Sequence, residues 1–181
     1  TAMGASTASG HLSTAMGISH ANGDFSFAGG NRAYANHQGS FVWCDSLNQD
    51  GGSPGINTFT VRAVGGVYMV TSAGLTGVQV GPGGGSWSSL SDRNVKENFQ
   101  SVNAQDVLAR VTAMPLSTWN YKSQDKTIRH IGPMAQDFAA AFGVGEDDKH
   151  IATVDADGVA LAAIQGLNQK VEEQGAAMKS K

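Results

Sequence analysis

The sequence predicts a chain in two parts. The first is an all-β solenoid of short repeated coils, and the second is an α+β portion ending in a long helix. Three observations carry this prediction. A thirteen-residue repeat opens the chain, with Thr1-Ala2-Met3-Gly4 returning as Thr14-Ala15-Met16-Gly17. Glycine, at 24 of 181 residues, is concentrated before Ser91. At Ser91 the chain turns from a repetitive, charge-poor Gly/Ala/Ser/Thr sequence into a mixed, charged and helix-forming one.

A third copy of the repeat starts at Phe27-Ala28-Gly29-Gly30, and a fourth at Phe41-Val42 after fourteen residues. Ser6/Ser19, Ala8/Ala21, Gly10/Gly23 and Ser13/Ser26 fall in register. Thirteen residues are too few for a helix pair. They fit one solenoid coil of two short strands and two turns, with glycine where the backbone needs φ > 0. Met3, Met16, Phe25 and Phe27 are the expected core of these coils. Over residues 57–71, Phe59, Val61 and Ala63 alternate with polar residues. Gly65-Gly66 then leads into Val67-Tyr68-Met69-Val70, the pattern of a β-hairpin. Val78 and Val80 predict a last short strand, and Pro54 with residues 48–52 marks a loop. Residues 81–86 form a flexible glycine connector. They lack the Gly-Lys-Ser/Thr ending of a phosphate cradle.

In the second part, Val107, Leu108 and Val111 fall at helical spacing within residues 102–111, stopped by Pro115. Residues 116–122 and 128–134 read as strands, and Ala135 to Phe142 as a short helix ended by Gly143. A long helix starts near Asp155 or Asp157 as N-cap. Ala160, Ile164, Leu167, Val171, Gln174 and Met178 follow at alternating spacings of four and three. That is a coiled-coil seam of under three heptads, too short to stand without partners. The predicted divisions are 1–56 for the repeats, 57–80 for the hairpin segment, 81–90 for the Gly-rich linker and 91–181 for the C-terminal domain.

Composition excludes several function classes. A net charge of −3 and a pI near 5.9 give no electrostatic case for nucleic acid or an anionic membrane. No apolar run approaches the roughly 18 residues of a membrane helix. The single cysteine, Cys44, excludes an internal disulfide and reads as the filler of a small buried site. The chain opens part-way through a repeat, as a piece of a longer protein would.

The chemistry concentrates in Leu90-Ser91-Asp92-Arg93-Asn94-Val95-Lys96. A serine hydroxyl needs a base to act as nucleophile. Lysine serves as one when burial disfavours its ammonium form. At i and i+5 on a regular helix the two side chains would lie about 140° apart. Ser91 must therefore sit outside any helix, with Lys96 folding back, or Lys96 must come from a neighbouring chain. Spacing alone favours a bland reading, with Ser91 as an N-cap and Lys96 solvated. Asp92 and Asn94 are supporting candidates for orienting the lysine or holding an oxyanion. His130 invites a triad with Ser91 and Asp92, although a structural ring is the preferred reading. His150 beside Asp147-Asp148 lacks further ligands at metal spacing, so no metal and no cofactor is expected.

Two resemblances sharpen this picture. Residues 1–45 resemble the head repeats of trimeric autotransporter adhesins, which also occur in phage tail fibres. The resemblance implies a left-handed β-roll with three chains side by side. The second part resembles the intramolecular chaperone auto-processing domain of endosialidase tailspikes and other phage fibre proteins. The motifs that carry it are Ser91-Asp92-x-x-x-Lys96, Ser117-Thr118-Trp119-Asn120-Tyr121, Arg129-His130-Ile131-Gly132-Pro133-Met134-Ala135-Gln136-Asp137-Phe138, and Val154-Asp155-Ala156-Asp157-Gly158-Val159-Ala160. This resemblance turns the balance to a catalytic pair, Ser91 and Lys96, with Gln136 joining the supporting candidates. It implies a homotrimeric domain with a terminal trimeric coiled coil. Such a domain guides folding of the upstream fibre segment of its own chain, then cuts itself off between Leu90 and Ser91. The implied setting is a virion tail fibre or spike that folds in the host cytoplasm and loses the chaperone domain on maturation. The alternative is a non-cleaving trimerisation tip that binds a host-surface receptor.

Overall fold

A computed structural model describes residues 1–74 and 76–180. Lys181, the end of the predicted range 91–181, lies outside them. The chain divides into two compact units, Thr1–Val95 and Lys96–Lys181.

The first unit opens with a β-solenoid. Its strands are β1 (Ala2–Met3), β2 (Thr7–Ala8), β3 (Thr14–Ala21), β4 (Phe27–Ala35), β5 (Phe41–Cys44), β6 (Gly51–Gly52) and β7 (Phe59–Arg62). They pair in parallel in the order β1-β3-β4-β5-β7, with β2 added on β3 and β6 on β4. Ala2 faces Ala15, Ala15 faces Ala28, Ala28 faces Val42 and Val42 faces Thr60. The thirteen-residue period is thus the length of one coil. The third coil takes its extra residue at Arg32. Ile18 pairs with Asn31 and Ser19 with Ala33, leaving Arg32 bulged at φ 58° and ion-paired to Asp50. The fourth coil is longer still, and Arg62 grips its extra loop. Its guanidinium binds Asp45 Oδ1 at 3.1 Å and the carbonyl oxygens of Asn31 and Leu47.

Hydroxyls and left-handed residues close each coil. Leu12, Phe25, Gly39 and Asn57 all have φ between 53° and 65°. The next residue in each case, Ser13, Ser26, Ser40 or Thr58, donates its hydroxyl to the carbonyl three residues back. At the opposite corner Ser6 donates to Met3 O and Ala15 O, and Ser19 to Met16 O and Ala28 O, so each hydroxyl bridges two coils. Gly17, within β3, has φ +91°. A Cβ there would lie 2.5 Å from Gly30 O of the next coil.

The solenoid core is Ala15, Ala21, Ala28, Ala33, Ala35, Val42 and Cys44. Small side chains let the walls of a narrow coil close on each other. Burial pushes the Cys44 thiol pKa up. The expectation that Met3, Met16, Phe25 and Phe27 fill this core is corrected. Met3 is 57% exposed, and Met16 and Phe25 are also exposed. Strand alternation turns Met3, Met16, Trp43 and Val61 outward in one row. Phe27, Phe41 and Phe59 stack beside that row, with ring centroids 4.6 and 4.9 Å apart. The interior takes only small side chains, up to Val42 and Cys44, so the large apolar residues line the outside.

The stack runs to Arg62 rather than ending at residue 56, and Phe59–Arg62 is not a hairpin arm. Its strand pairs in parallel with β5, where Phe59 extends the phenylalanine ladder. The turn closed by Gly66 N on Ala63 O takes the chain out of the stack. A hairpin follows instead between β8 (Val67–Val70) and β9 (Gly77–Val80), and β10 (Ser88–Ser89) joins β9 antiparallel. The linker expected over 81–90 therefore ends in a strand.

In the second unit, α1 (Ala104–Ala113) is N-capped by Asn103, whose side chain accepts from Asp106 N. Strand β11 (Ser117–Trp119) pairs antiparallel with β12 (His130–Gly132). Helix α2 (Ala135–Phe142) stops at Gly143 in the left-handed region. Helix α3 (Thr153–Lys179) starts earlier than expected, with Ala152 rather than Asp155 or Asp157 at the N-cap. Asp155 lies in its first turn, where a carboxylate complements the helix dipole. Small residues join the helices. Ala104 and Ala163 are buried, and a Cβ at Gly166 would lie 2.2 Å from Ala104 O. Arg110 ties α1 to α2 by donating to Ala141 O at 2.6 Å.

Two outcomes follow from this construction. Gly17→Ala puts a side chain against the next coil at positive φ, so it destabilises the solenoid by about 1–3 kcal/mol. Gly81→Ala, with open space around it, leaves the thermal midpoint nearly unchanged, and differential scanning calorimetry separates the two. The Val64 N–H, then that of Leu47 and the Arg62 guanidinium, hold the Asp45 carboxyl below its ordinary range. A lowered folded-state pKa stabilises above the unfolded value of about 3.9, and that contribution vanishes as pH falls through the folded value. Asp45→Ala therefore lowers the melting temperature at neutral pH. Melting curves taken in steps toward pH 2 should show the gap to the parent closing.

Candidate functional site

The three-stranded sheet of the first unit ends at the predicted cleavage bond. Ser88 pairs with Gln79 and Ser89 with Val78. Leu90 N then donates to Gly77 O at 3.2 Å, so Leu90 is the last residue held by the sheet. Ser91 is the first residue beyond it and is exposed. A turn follows at once. Asp92 Oδ1 accepts from the backbone N–H and the side-chain amide of Asn94, each at 2.9 Å. Val95 N donates to Asp92 O at 3.3 Å, and Arg93–Val95 forms a single 3-10 turn. Asp92, not Ser91, caps this turn. Ser91 lies outside helical structure with its hydroxyl on an irregular, solvent-accessible backbone. The supporting pair Asp92 and Asn94 is thereby brought together as a local Asx turn.

Lys96 is the first residue of the second unit, so the sequence pair spans the division between units. It is exposed, and residues 96–103 have no regular structure before α1.

His130, on β12, is partly buried among aromatic rings. Its ring centroid lies 4.7 Å from that of Trp119 and 5.7 Å from that of Tyr121, and its Nε2 is 2.9 Å from Gln124 Oε1. Strand pairing explains the cluster, because Trp119 faces His130 across the ladder. These neighbours suit a packing role for the ring. Sequence reasoning did not foresee the cluster, although the strand expected over 116–122 puts Trp119 and Tyr121 on one face at i, i+2. Gln136, exposed in the first turn of α2, lines a recess of about 480 Å³ with Trp119, Tyr121, Met134 and Lys149. His150 is exposed and pairs with Asp147, whose carboxyl it holds below its ordinary range. Among the described residues no group of three or more His, Cys, Asp or Glu is placed to hold a metal. Among the described residues no helix is long and apolar enough to cross a membrane.

Helix α3 presents two faces. Ala163 and Gly166 are buried, and Gly166 meets α1 at Ala104 O. Ala160, Ile164, Leu167, Val171, Gln174 and Met178 are all exposed in the single chain. Four large apolar residues at heptad spacing thus have no cover within it.

Residues 91–144 match a peptidase family described as chaperone of endosialidase, over less than half of the chain. That segment runs from Ser91 through α1, β11, β12 and α2 into Gly143 and Val144. No curated protein matches the chain.

The α1–α3 contact gives a test of the second unit. Gly166→Leu cannot be accommodated against Ala104 O without moving α1, and should cost about 1–3 kcal/mol by overpacking. Gly175→Leu, with nothing within 4 Å of its Cβ, should be neutral or slightly stabilising through helix propensity. Thermal unfolding followed by far-UV circular dichroism distinguishes the two.

Proposed function

We propose that this chain is the C-terminal part of a phage tail fibre or spike whose residues 91–181 act as an intramolecular chaperone. This domain drives assembly of three copies and then releases itself by cutting between Leu90 and Ser91. The observation that carries the reading is the match of residues 91–144 to the chaperone-of-endosialidase peptidases, which opens at Ser91 itself. Two uncovered apolar surfaces support the trimer. One is the outer row of Met3, Met16, Trp43 and Val61 with its phenylalanine ladder, and the other is the α3 stripe from Ile164 to Met178. Monomers rarely leave such surfaces open. The heptad spacing fits α3 to a parallel coiled coil.

The chemistry assigns Ser91 as nucleophile and Lys96, from the same or a neighbouring chain, as base. The neutral amine takes the proton of the Ser91 hydroxyl, and Oγ attacks the carbonyl carbon of Leu90 through a five-membered ring. The C–N bond breaks as the Ser91 nitrogen takes a proton back from the lysine, leaving Leu90 joined to Oγ as an ester. Water then adds to the ester, giving the Leu90 carboxylate and restoring the Ser91 hydroxyl. A lysine base needs a desolvated setting, and Lys96 is exposed in the single chain. Association of copies supplies that setting, so assembly precedes cleavage. In this reading Asp92 and Asn94, joined in one local turn, orient the reacting groups, and His130 and Gln136 support the fold of the second unit.

Intact mass and N-terminal sequencing test this directly, with Ser91 as the expected new N-terminus. Ser91→Ala and Lys96→Ala should each stop cleavage. Lys96→Arg should stop it too, because a guanidinium does not give up its proton near neutral pH. Ser91→Ala should still give an uncleaved trimer by light scattering. Ile164→Asp with Leu167→Asp, which puts unpaired charges in the seam, should lose both trimer and cleavage. Cleavage at another bond, or a trimer that persists in the double variant, would overturn the scheme.

A further inference from the structure

The sheet that ends at Leu90 has no part in the chemistry just described, yet it holds the acyl side of the scissile bond. Strand β10 is an edge strand, paired only with β9 among the described residues. Its ladder continues one residue further through the bond from Leu90 N to Gly77 O. Backbone pairing of this kind is how proteins bind extended peptides, with main-chain bonds giving hold and adjoining pockets giving side-chain selection. A recess of about 330 Å³ borders this strand end, and Leu90 forms part of its wall together with Tyr68, Met69, Val70, Val78 and Ser91, among others. Leu90 is 41% exposed, so more than half of the residue is covered. On the other side of the bond, Asp92 fixes the chain through Asn94 and Val95. The Leu90 carbonyl is therefore flanked by two ordered segments, a ladder before it and an Asx turn after it.

We propose that the β8–β9 hairpin is a substrate-holding device for self-cleavage: it binds residues 88–90 of its own chain as an edge strand and fixes the Leu90 carbonyl for attack. Leu90 is the specificity-determining residue, and Gly77 is a positioning residue. The requirement at Gly77 is steric. A Cβ there would lie 2.0 Å from Met69 O, so any side chain pushes β9 off β8 and shifts the carbonyl that holds Leu90. Attack through a five-membered ring demands a narrow range of geometry at Leu90 and Ser91, and fixing the acyl residue removes the competing rotations. A misplacement of about 1 Å at a reacting group can cost about a hundredfold in rate. A further consequence is that after cleavage the new Leu90 C-terminus remains paired in the sheet of the fibre segment.

This inference rests on the cleavage assignment above, and the experiment separates the two. The full chain is refolded from denaturant at a series of pH values. Cleavage is followed by intact mass while assembly is followed by light scattering. Leu90→Met, which keeps an apolar side chain in the wall of the recess, should cleave within about threefold of the parent. Leu90→Asn, polar but uncharged, and Gly77→Val should cleave on the order of tenfold to a hundredfold more slowly. In Leu90→Asn the shape of the pH–rate profile should match the parent's, because the variant adds no charge and only the substrate is misplaced. Leu90 lies at a partly exposed strand end, so its variants carry the test even if Gly77→Val fails to assemble. Parental rates in Leu90→Asn, or a slowed rate with a displaced pH profile, would overturn the holding role and leave the cleavage assignment standing. A parent chain that assembles and never cleaves would take down both.

Discussion

The parallel register between coils is the constraint on which the first unit depends. Ala2, Ala15, Ala28 and Val42 stack in line, at a strand spacing of about 4.8 Å, and the narrow coil admits only small side chains inside, chiefly alanine. Everything else adjusts to it. The corners turn through left-handed residues, and the hydroxyls of Ser6 and Ser19 cross from one coil to the next. Extra residues are expelled as the Arg32 bulge and the loop that Arg62 grips. An interior this narrow buries little apolar area, so the large apolar residues go outside, where a single chain leaves them uncovered.

The second unit shows the same economy by other means. Ala104, Ala163 and Gly166 bring α1 and α3 into close contact, which keeps the large residues of α3 free for a different face. Both units thus place small side chains at intrachain contacts and leave large apolar ones exposed. The proposed role follows from that division, since assembly would do for both surfaces what folding alone leaves undone.

Between the two lies the segment from β10 to Lys96, ordered on its acyl side by a ladder and on its amine side by an Asx turn. Autoproteolysis needs a peptide bond that is held yet exposed, and a strand end followed by a capped turn provides that combination. In the proposed mechanism the exposed Lys96 would tie the chemistry to assembly, because a lysine base needs to be drawn out of water.

The sequence alone determined the coil length, because the parallel ladder copies its spacing directly into the recurrence of Thr-Ala-Met-Gly. It determined the helices of the second unit to within a few residues, since Pro115 and Gly143 act locally through backbone geometry. It also located the heptad stripe of α3 and singled out Ser91 and Lys96. Tertiary structure decided which apolar residues are inside. Met3, Met16 and Phe27 look like core in a repeat, but inside and outside of a coil are set by its width, which no local pattern carries. It likewise decided the partner of Phe59–Arg62, whose alternation suits either a hairpin or a parallel stack. The phenylalanine ladder from Phe27 to Phe59 lies 32 residues long in sequence and only two ring spacings long in space. The pairing of Leu90 with Gly77 was hidden for the same reason, since strand partners are chosen by contacts across the sheet and not by the residues that flank them.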